Sequence, residues 1–339
     1  MKYYFKTYGC RVNQYETQLI REQFCKNSQN TIVDDIADAD VCIINSCTVT
    51  HKADADCRQI VRRILKLNPL ARIIVTGCYA LSSPDEIKSA CKNSQRVEVC
   101  PDKEKLIGSL KHTNYFYDHQ RAFLKIQDGC DAFCSYCIVP YVRSKLWSKD
   151  RETVFDEIEV LRRNDYREIV LCGIRLGKYG TENHGLYDLV KDILTNFRDM
   201  KIKFSSLELG EIDEKLVDLI GGSKNIVPYL HIPMQSGDDK ILELMKRSYS
   251  RKDYSEKIKY IKSQVPDIFL STDVIVGFPT ETNEQFYNTY RLIKELKFNK
   301  LHIFTYSDRE GTSAEKIYPK VNPSEIKKRA GMLRELDVQ

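Results

Sequence analysis

Long apolar runs are missing from this chain: no segment approaches the roughly 18 to 20 apolar residues of a membrane span. No leader is expected either, since Met1-Lys2-Tyr3-Tyr4-Phe5-Lys6 breaks each short apolar run with a charge. The expectation is a soluble cytoplasmic protein with no membrane partner and with reduced thiols. An excess of one charge sign is also lacking, with 53 Lys+Arg against 48 Asp+Glu and a net charge of +5. Residues 1–112 carry 17 basic against 13 acidic side chains, and residues 113–320 carry 32 of each. That balance neither marks nor excludes a nucleic-acid partner, so local clusters must decide. Cysteine, at twelve in 339 residues, is too sparse for a disulfide scaffold. In reducing surroundings its clusters read instead as metal or redox sites.

What the chain does have is Asp128-Gly129-Cys130-Asp131-Ala132-Phe133-Cys134-Ser135-Tyr136-Cys137, three cysteines in Cys-x3-Cys-x2-Cys spacing. A closed iron–sulfur or zinc site wants four ligands, and no Cys or His occurs from Ile138 to Arg151. Three thiolates leave one iron open to bind a substrate or cofactor directly, which marks a catalytic rather than a structural metal. A zinc loop, or cysteines scattered by chance, is the alternative reading. The spacing, with Tyr136 before the last cysteine, resembles the signature of radical S-adenosylmethionine (radical SAM) enzymes.

The first hundred residues alternate between strand and helix patterns. Tyr3–Tyr8, Val41–Ile44 and Arg72–Thr76 read as strands, and Gln14–Cys25 and Gln59–Leu67 as helices, with Pro84 opening another. Such alternation implies a doubly wound parallel sheet. Cys10, Cys47 and Cys78 each fall just past a strand, and in such a sheet the loops after the strands share one edge where ligands bind. Three distant thiols at equivalent positions form a second candidate metal site, with Gly9 and Gly77 permitting close backbone approach. The remaining cysteines, Cys25, Cys42, Cys57, Cys91, Cys100 and Cys172, read as small buried hydrophobes.

Domain boundaries follow from these patterns. Residues 1–112 form the first domain, 113–120 a polar linker, 121–320 a second domain and 321–339 a closing helix. In the second domain, strands are expected at Ala122–Ile126, Glu168–Cys172, Phe204–Leu207, Tyr229–Ile232, Ile268–Val276 and Leu301–Phe304, separated by helical patterns. Six strands in about 200 residues make a partial (β/α)6 TIM-like barrel rather than a closed eight-fold one. The Cys130 motif lies just after the first strand, at the face where such barrels carry their chemistry.

Nearly the whole chain resembles the radical SAM methylthiotransferases. The two cysteine trios carry the resemblance, together with Cys137-Ile-Val-Pro-Tyr141, Gly177-Lys-Tyr-Gly180, Ser205-Ser-Leu-Glu208, Leu230-His-Ile-Pro-Met-Gln-Ser-Gly237, Thr272–Thr282 and Tyr306–Thr312. The resemblance implies two [4Fe–4S] clusters, one at each trio, with SAM on the open iron of the Cys130/Cys134/Cys137 cluster. It implies that one SAM methylates a sulfur at the auxiliary cluster. A second SAM is cleaved reductively to a radical that removes hydrogen from an unreactive C–H bond, and the methylthio group is transferred there. An electron donor such as flavodoxin or ferredoxin is implied, and a monomer is expected. Around SAM, Tyr136 is a further expected contact, Gly173 would leave room for the methionine moiety, Gln235 and Ser236 would bond a ribose hydroxyl, and Val276 and Gly277 would flank the adenine.

The run Arg11-Val12-Asn13-Gln14-Tyr15-Glu16 resembles the branch acting on N6-threonylcarbamoyladenosine beside the tRNA anticodon. Methylthiolation of isopentenyladenosine or of a ribosomal-protein aspartate is the alternative. A two-cluster electron-transfer or redox-sensing protein is the reading from another class. Arg143, Lys145 and Lys149, with Tyr141 and Trp147 between them, suit phosphate contact and base stacking in an anticodon loop. Arg175, where relatives have Asn, is the cation expected for the threonylcarbamoyl carboxylate. Ser144 replaces a usual glycine. Relatives continue into a small all-β RNA-binding (TRAM) domain, whereas this sequence ends at Gln339.

Overall fold

The computed structural model describes residues 1–116, 119–181 and 184–337. Tyr117 and Asp118 of the expected linker, and Val338 and Gln339 of the closing segment, lie outside the described residues. The chain forms two compact units. The first comprises Met1–Lys125, Tyr141–Ser144 and Arg151–Tyr166; the second comprises Ile126–Pro140, Lys145–Asp150 and Arg167–Gln339.

The first unit is built on a parallel sheet of β1 (Lys2–Thr7), β2 (Thr31–Ile32), β3 (Val41–Ser46), β4 (Arg72–Gly77) and β5 (Val97–Val99), in the order β2-β1-β3-β4-β5. β3 is buried along its whole length, as a central parallel strand covered on both faces must be. α1 (Arg11–Phe24) follows β1 and α2 (His51–Leu67) follows β3. α2 starts two turns before the apolar pattern does. Thr50 caps it by accepting from the Ala53 N–H at 3.2 Å, and the charged residues of those turns leave no periodic signal. The expected linker is anchored at its start. Thr113 donates through both N–H and Oγ1 to the buried Glu157 carboxylate, at 2.9 and 3.0 Å, and Tyr15 donates to the same group. Helix Arg151–Arg163 thereby groups with the first unit rather than with the barrel.

In the second unit, Glu168–Cys172 pairs in parallel with Lys201–Phe204. Tyr229–His231, Phe269–Val276 and Lys300–Thr305 form a second parallel set, joined to the first through a bridge between Ser206 and His231. Helices Leu186–Asn196, Glu214–Gly222, Arg251–Gln264 and Asn283–Leu296 cross between the strands. Their apolar faces bury Leu189, Ile193, Ile220, Ile258 and Leu292. Strand β6 (Ala122–Lys125), expected as the first barrel strand, groups with the first unit; the second unit begins at Ile126, whose N–H bonds the Cys172 carbonyl at 2.9 Å. Helix Pro323–Asp337 closes the unit. Among the described residues no helix is long and apolar enough to cross a membrane.

Candidate functional site

β1, β3 and β4 are neighbours in the sheet, so the residues after them share its carboxyl edge, beside the point where strand order reverses. Cys10 is the residue before α1, Cys47 directly follows β3, and Cys78 opens the short helix Cys78–Ser82. Gly9, at φ +97°, packs so closely on this edge that a Cβ would lie 2.8 Å from Cys47 Cβ and 3.0 Å from its Sγ. Gly77, at φ +92°, would put a Cβ 2.3 Å from Asn45 Oδ1. Burial pushes the Cys47 thiol up to about 11, and the neighbouring Cys78 and Cys10 add to the shift, which places the three sulfurs within electrostatic reach. A thiol held that high becomes a ligand when a metal displaces its proton. The donor set is all thiol, as iron–sulfur chemistry prefers. Among the described residues no three Cys, His, Asp or Glu side chains converge on one ion-sized point.

The second trio sits on a loop locked at each end. Gly129, at φ +84°, would place a Cβ 2.2 Å from the Lys145 carbonyl, and Phe133 also adopts positive φ. Ser135 donates from Oγ to the Leu244 carbonyl at 2.6 Å and from N–H to Met245 at 3.1 Å, and its carbonyl accepts from Ala314. Tyr136 packs against a buried group of Ile241, Met245, Ile275, Phe278 and Ala314. Burial pushes the Cys137 thiol up to about 12, with Cys134 and Cys130 adding to it. Sequence reasoning missed Arg247. Its guanidinium donates to Cys134 Sγ at 3.3 Å and to Tyr249 at 3.0 Å, and pairs with Glu208. Glu208 closes the quoted Ser205–Glu208 run, the only sequence signal for this pairing. Also missed was a polar chain inside the barrel strands. His231 meets Ser271 Oγ at 2.9 Å through Nδ1 and Asp273 at 3.1 Å through Nε2.

The residues expected around SAM divide into free and engaged groups. Gln235 sits at φ +64°, a strained conformation for a residue with a side chain. Its backbone is pinned to Asp273 and Ile275 at 2.8 and 2.9 Å, while no partner engages its amide among the described residues. Ser236 differs from the expectation: its buried hydroxyl already contacts Thr289 at 3.3 Å and accepts from the Asp238 N–H. Gly173 admits no side chain, because a Cβ there would lie 2.9 Å from Gln127 Oε1 and from Leu176 Cα. Gly277, at φ +78°, is filled against by Ile326, whose Cγ1 lies 2.4 Å from the Cβ position, and its N–H donates to Glu281 at 2.8 Å. Val276 is buried at the end of its strand.

The basic residues expected at RNA need more revision. Arg143 and Lys149 are 7% and 3% exposed, too buried to meet a phosphate. Arg143 is bound by Glu16 at 2.8 and 2.9 Å. Arg175 pairs with Glu211 at 2.6 Å and Asp131 at 2.8 Å, so its charge is already answered. Lys145 is exposed, as are Tyr141 and Trp147. Ser144 takes an ordinary negative φ, so the missing glycine strains nothing. The six other cysteines are buried or half-buried.

Residues 124–293 match the Radical SAM superfamily, and residues 2–97 match a family described only as "Uncharacterized protein family UPF0004". The chain is 36% identical to the threonylcarbamoyladenosine tRNA methylthiotransferase MtaB of Aquifex aeolicus (strain VF5), over 99% of this chain and 88% of the relative. It is 38% identical to the MtaB of Bacillus subtilis (strain 168), over 94% of this chain and 76% of that one. To the tRNA-2-methylthio-N(6)-dimethylallyladenosine synthase of Bacillus cereus (strain B4264) it is 33% identical, over 96% and 70%. Among solved structures, the radical SAM methyltransferase TsrM of Kitasatospora setae superposes with a TM-score of 0.63 at 12% identity, covering 90% of this chain and 72% of that one. At that identity the likeness is one of fold.

Proposed function

The chain belongs to the methylthiotransferase family of radical SAM enzymes, and from that premise we propose that it methylthiolates C2 of N6-threonylcarbamoyladenosine at position 37 of tRNA. In this reading Cys130, Cys134 and Cys137 would hold one [4Fe–4S] cluster, which would bind and cleave SAM, and Cys10, Cys47 and Cys78 would hold a second. Together these groups supply hydrogen abstraction from the substrate and a sulfur to replace it; an adenine C2 offers no acidic proton and no leaving group, so acid–base chemistry has no purchase there. An electron donor such as a flavodoxin or ferredoxin completes the reaction.

The protein's own part is placement. Arg247 keeps a buried positive charge against Cys134, and Tyr136 is packed into the wall beside the trio, which holds the loop in place. Gln235, held at positive φ with its amide unengaged, is placed to bond a ribose hydroxyl. Ser236 instead secures the turn. Arg175 is paired with Glu211 and Asp131.

The observation that carries the substrate choice is the graded similarity. Relatives named for threonylcarbamoyladenosine stand at 33 to 38% identity over 75 to 88% of their length, against 31 to 33% over 68 to 70% for those named for dimethylallyladenosine. The test is anaerobic reconstitution of the protein with iron and sulfide. It is then incubated with SAM, a reductant, and tRNA bearing either modification, followed by nucleoside mass analysis. A gain of the methylthio mass on the threonylcarbamoyl nucleoside is expected. A gain only on the isopentenyl form, or on neither while a ribosomal protein is labelled, would overturn the assignment.

A further inference from the structure

Asn13 and Glu16 stand three residues apart on α1, on one face of the helix, and both are about 1% exposed. The Asn13 side chain donates to the Tyr8 carbonyl at 2.8 Å and the Ser46 carbonyl at 3.2 Å. These carbonyls belong to the segments that deliver Cys10 and Cys47. Its Oδ1 accepts from Arg143 Nη2 at 2.7 Å. The Arg143 fork spans both oxygens of Glu16, and its Nε donates to Cys78 Sγ at 3.4 Å. One buried guanidinium therefore ties together the segments of all three cysteines. Glu16 is anchored in turn by Lys125 at 2.8 Å and by Lys103. A flexible, single-point ammonium could not replace a planar fork that satisfies a carboxylate, an amide and a sulfur at once.

We propose that Arg143, held in place by Asn13 and Glu16, is a positioning residue that sets the reduction potential of the Cys10/Cys47/Cys78 centre. The inference rests on the reading that this trio holds a cluster. A fixed positive charge and an N–H donor on a ligand sulfur favour the more negative, reduced state, so Arg143 raises the potential of this centre. Its Nε–H donates directly to a sulfur of this trio, so its charge bears on this centre.

The test uses full-length protein in which Cys130, Cys134 and Cys137 are changed to Ala, so that a single centre remains. Arg143→Gln and Arg143→Lys are made in that background, and the midpoint potential and electron paramagnetic resonance signal are recorded with iron content. Arg143→Gln is expected to move the midpoint to more negative values, and Arg143→Lys to move it less. Should Arg143→Gln lose its iron, a negative shift in an iron-bearing Arg143→Lys supports the proposal by itself. An iron-bearing variant with an unchanged midpoint and signal overturns it, as does loss of iron from both together with loss of folding by circular dichroism. If the background protein itself takes up no cluster, the failure belongs to the second-cluster reading beneath.

Discussion

Arg329 in the closing helix makes a buried ion pair with Glu281, with the two side chains 4% and 2% exposed. Its Nη1 donates to Glu281 Oε2 at 2.8 Å and to the Glu281 carbonyl at 3.0 Å, and its Nη2 donates to Asn283 at 2.7 Å. Glu281 Oε2 also accepts the Gly277 N–H. Burial raises the Glu281 carboxyl above its ordinary 4.5, opposed by the Gly277 N–H and the Arg329 charge. Arg329→Met leaves that carboxylate two routes. Staying charged without its partner costs about 3–5 kcal/mol. Taking up a proton at pH 7 from an unfolded-state value of 4.5 costs about 3.4 kcal/mol. The cheaper route sets the result, a loss of about 3 kcal/mol at pH 7.

The sign of the pH dependence follows. In the variant the folded-state pKa stands further above the unfolded one, so the folded state binds the extra proton. Its penalty grows as pH rises and shrinks toward acid by up to about 1.4 kcal/mol per pH unit. Urea unfolding of parent and variant at pH 7 and pH 6, followed by circular dichroism, measures both quantities. With an m-value of about 2–3 kcal/mol/M the midpoint falls by about 1 M or more at pH 7, and by less at pH 6. A shift below about 0.3 M, equal at the two pH values, would refute the reasoning. Because Glu281 holds the Gly277 N–H just beyond Val276, weaker SAM binding should accompany the loss.

Three further outcomes are expected. Changing Cys130, Cys134 and Cys137 to Ala should leave one [4Fe–4S] cluster and abolish SAM cleavage, whereas changing Cys10, Cys47 and Cys78 should leave one and spare it; iron analysis and 5′-deoxyadenosine assay read both, and retention of both clusters by either variant contradicts the assignment. Gly77→Ala, with its Cβ forced to within 2.3 Å of Asn45 Oδ1 and 2.4 Å of the Ser46 carbonyl at φ +92°, should destabilise the first unit by more than about 1 kcal/mol and reduce iron at Cys78. Thermal melts and iron assays check this. Lys145→Gln should weaken tRNA binding and flatten its salt dependence by about 0.7–0.9 in log–log slope if the lysine meets one phosphate; an unchanged slope makes it a solvated side chain.

The alternation of apolar strands with helical patterns was legible, down to the bounds of Glu168–Cys172. So were the positions of Cys10, Cys47 and Cys78 after β1, β3 and β4, because strand ends are written in local composition. The strand at Lys201–Phe204 lies three residues earlier than its pattern suggests, since Ser205–Leu207 continues the alternation beyond the last ladder pair. The branch signature reads differently once folded. Asn13, Tyr15 and Glu16 are buried and bound to protein groups: Asn13 and Glu16 brace the segments of the first trio, and Tyr15 donates to Glu157.

By itself the sequence determined the fold class, the number of thiol trios and the Cys-x3-Cys-x2-Cys spacing of the second, since each is a matter of residue type and near-neighbour order. Only the tertiary structure decided what the charges do. Arg143 meets Glu16 across 127 residues, and Arg247 meets Cys134 across 113. A basic side chain is a phosphate ligand in water and a structural cation beside a buried carboxylate, and which of these it becomes depends on a desolvation that no local pattern encodes.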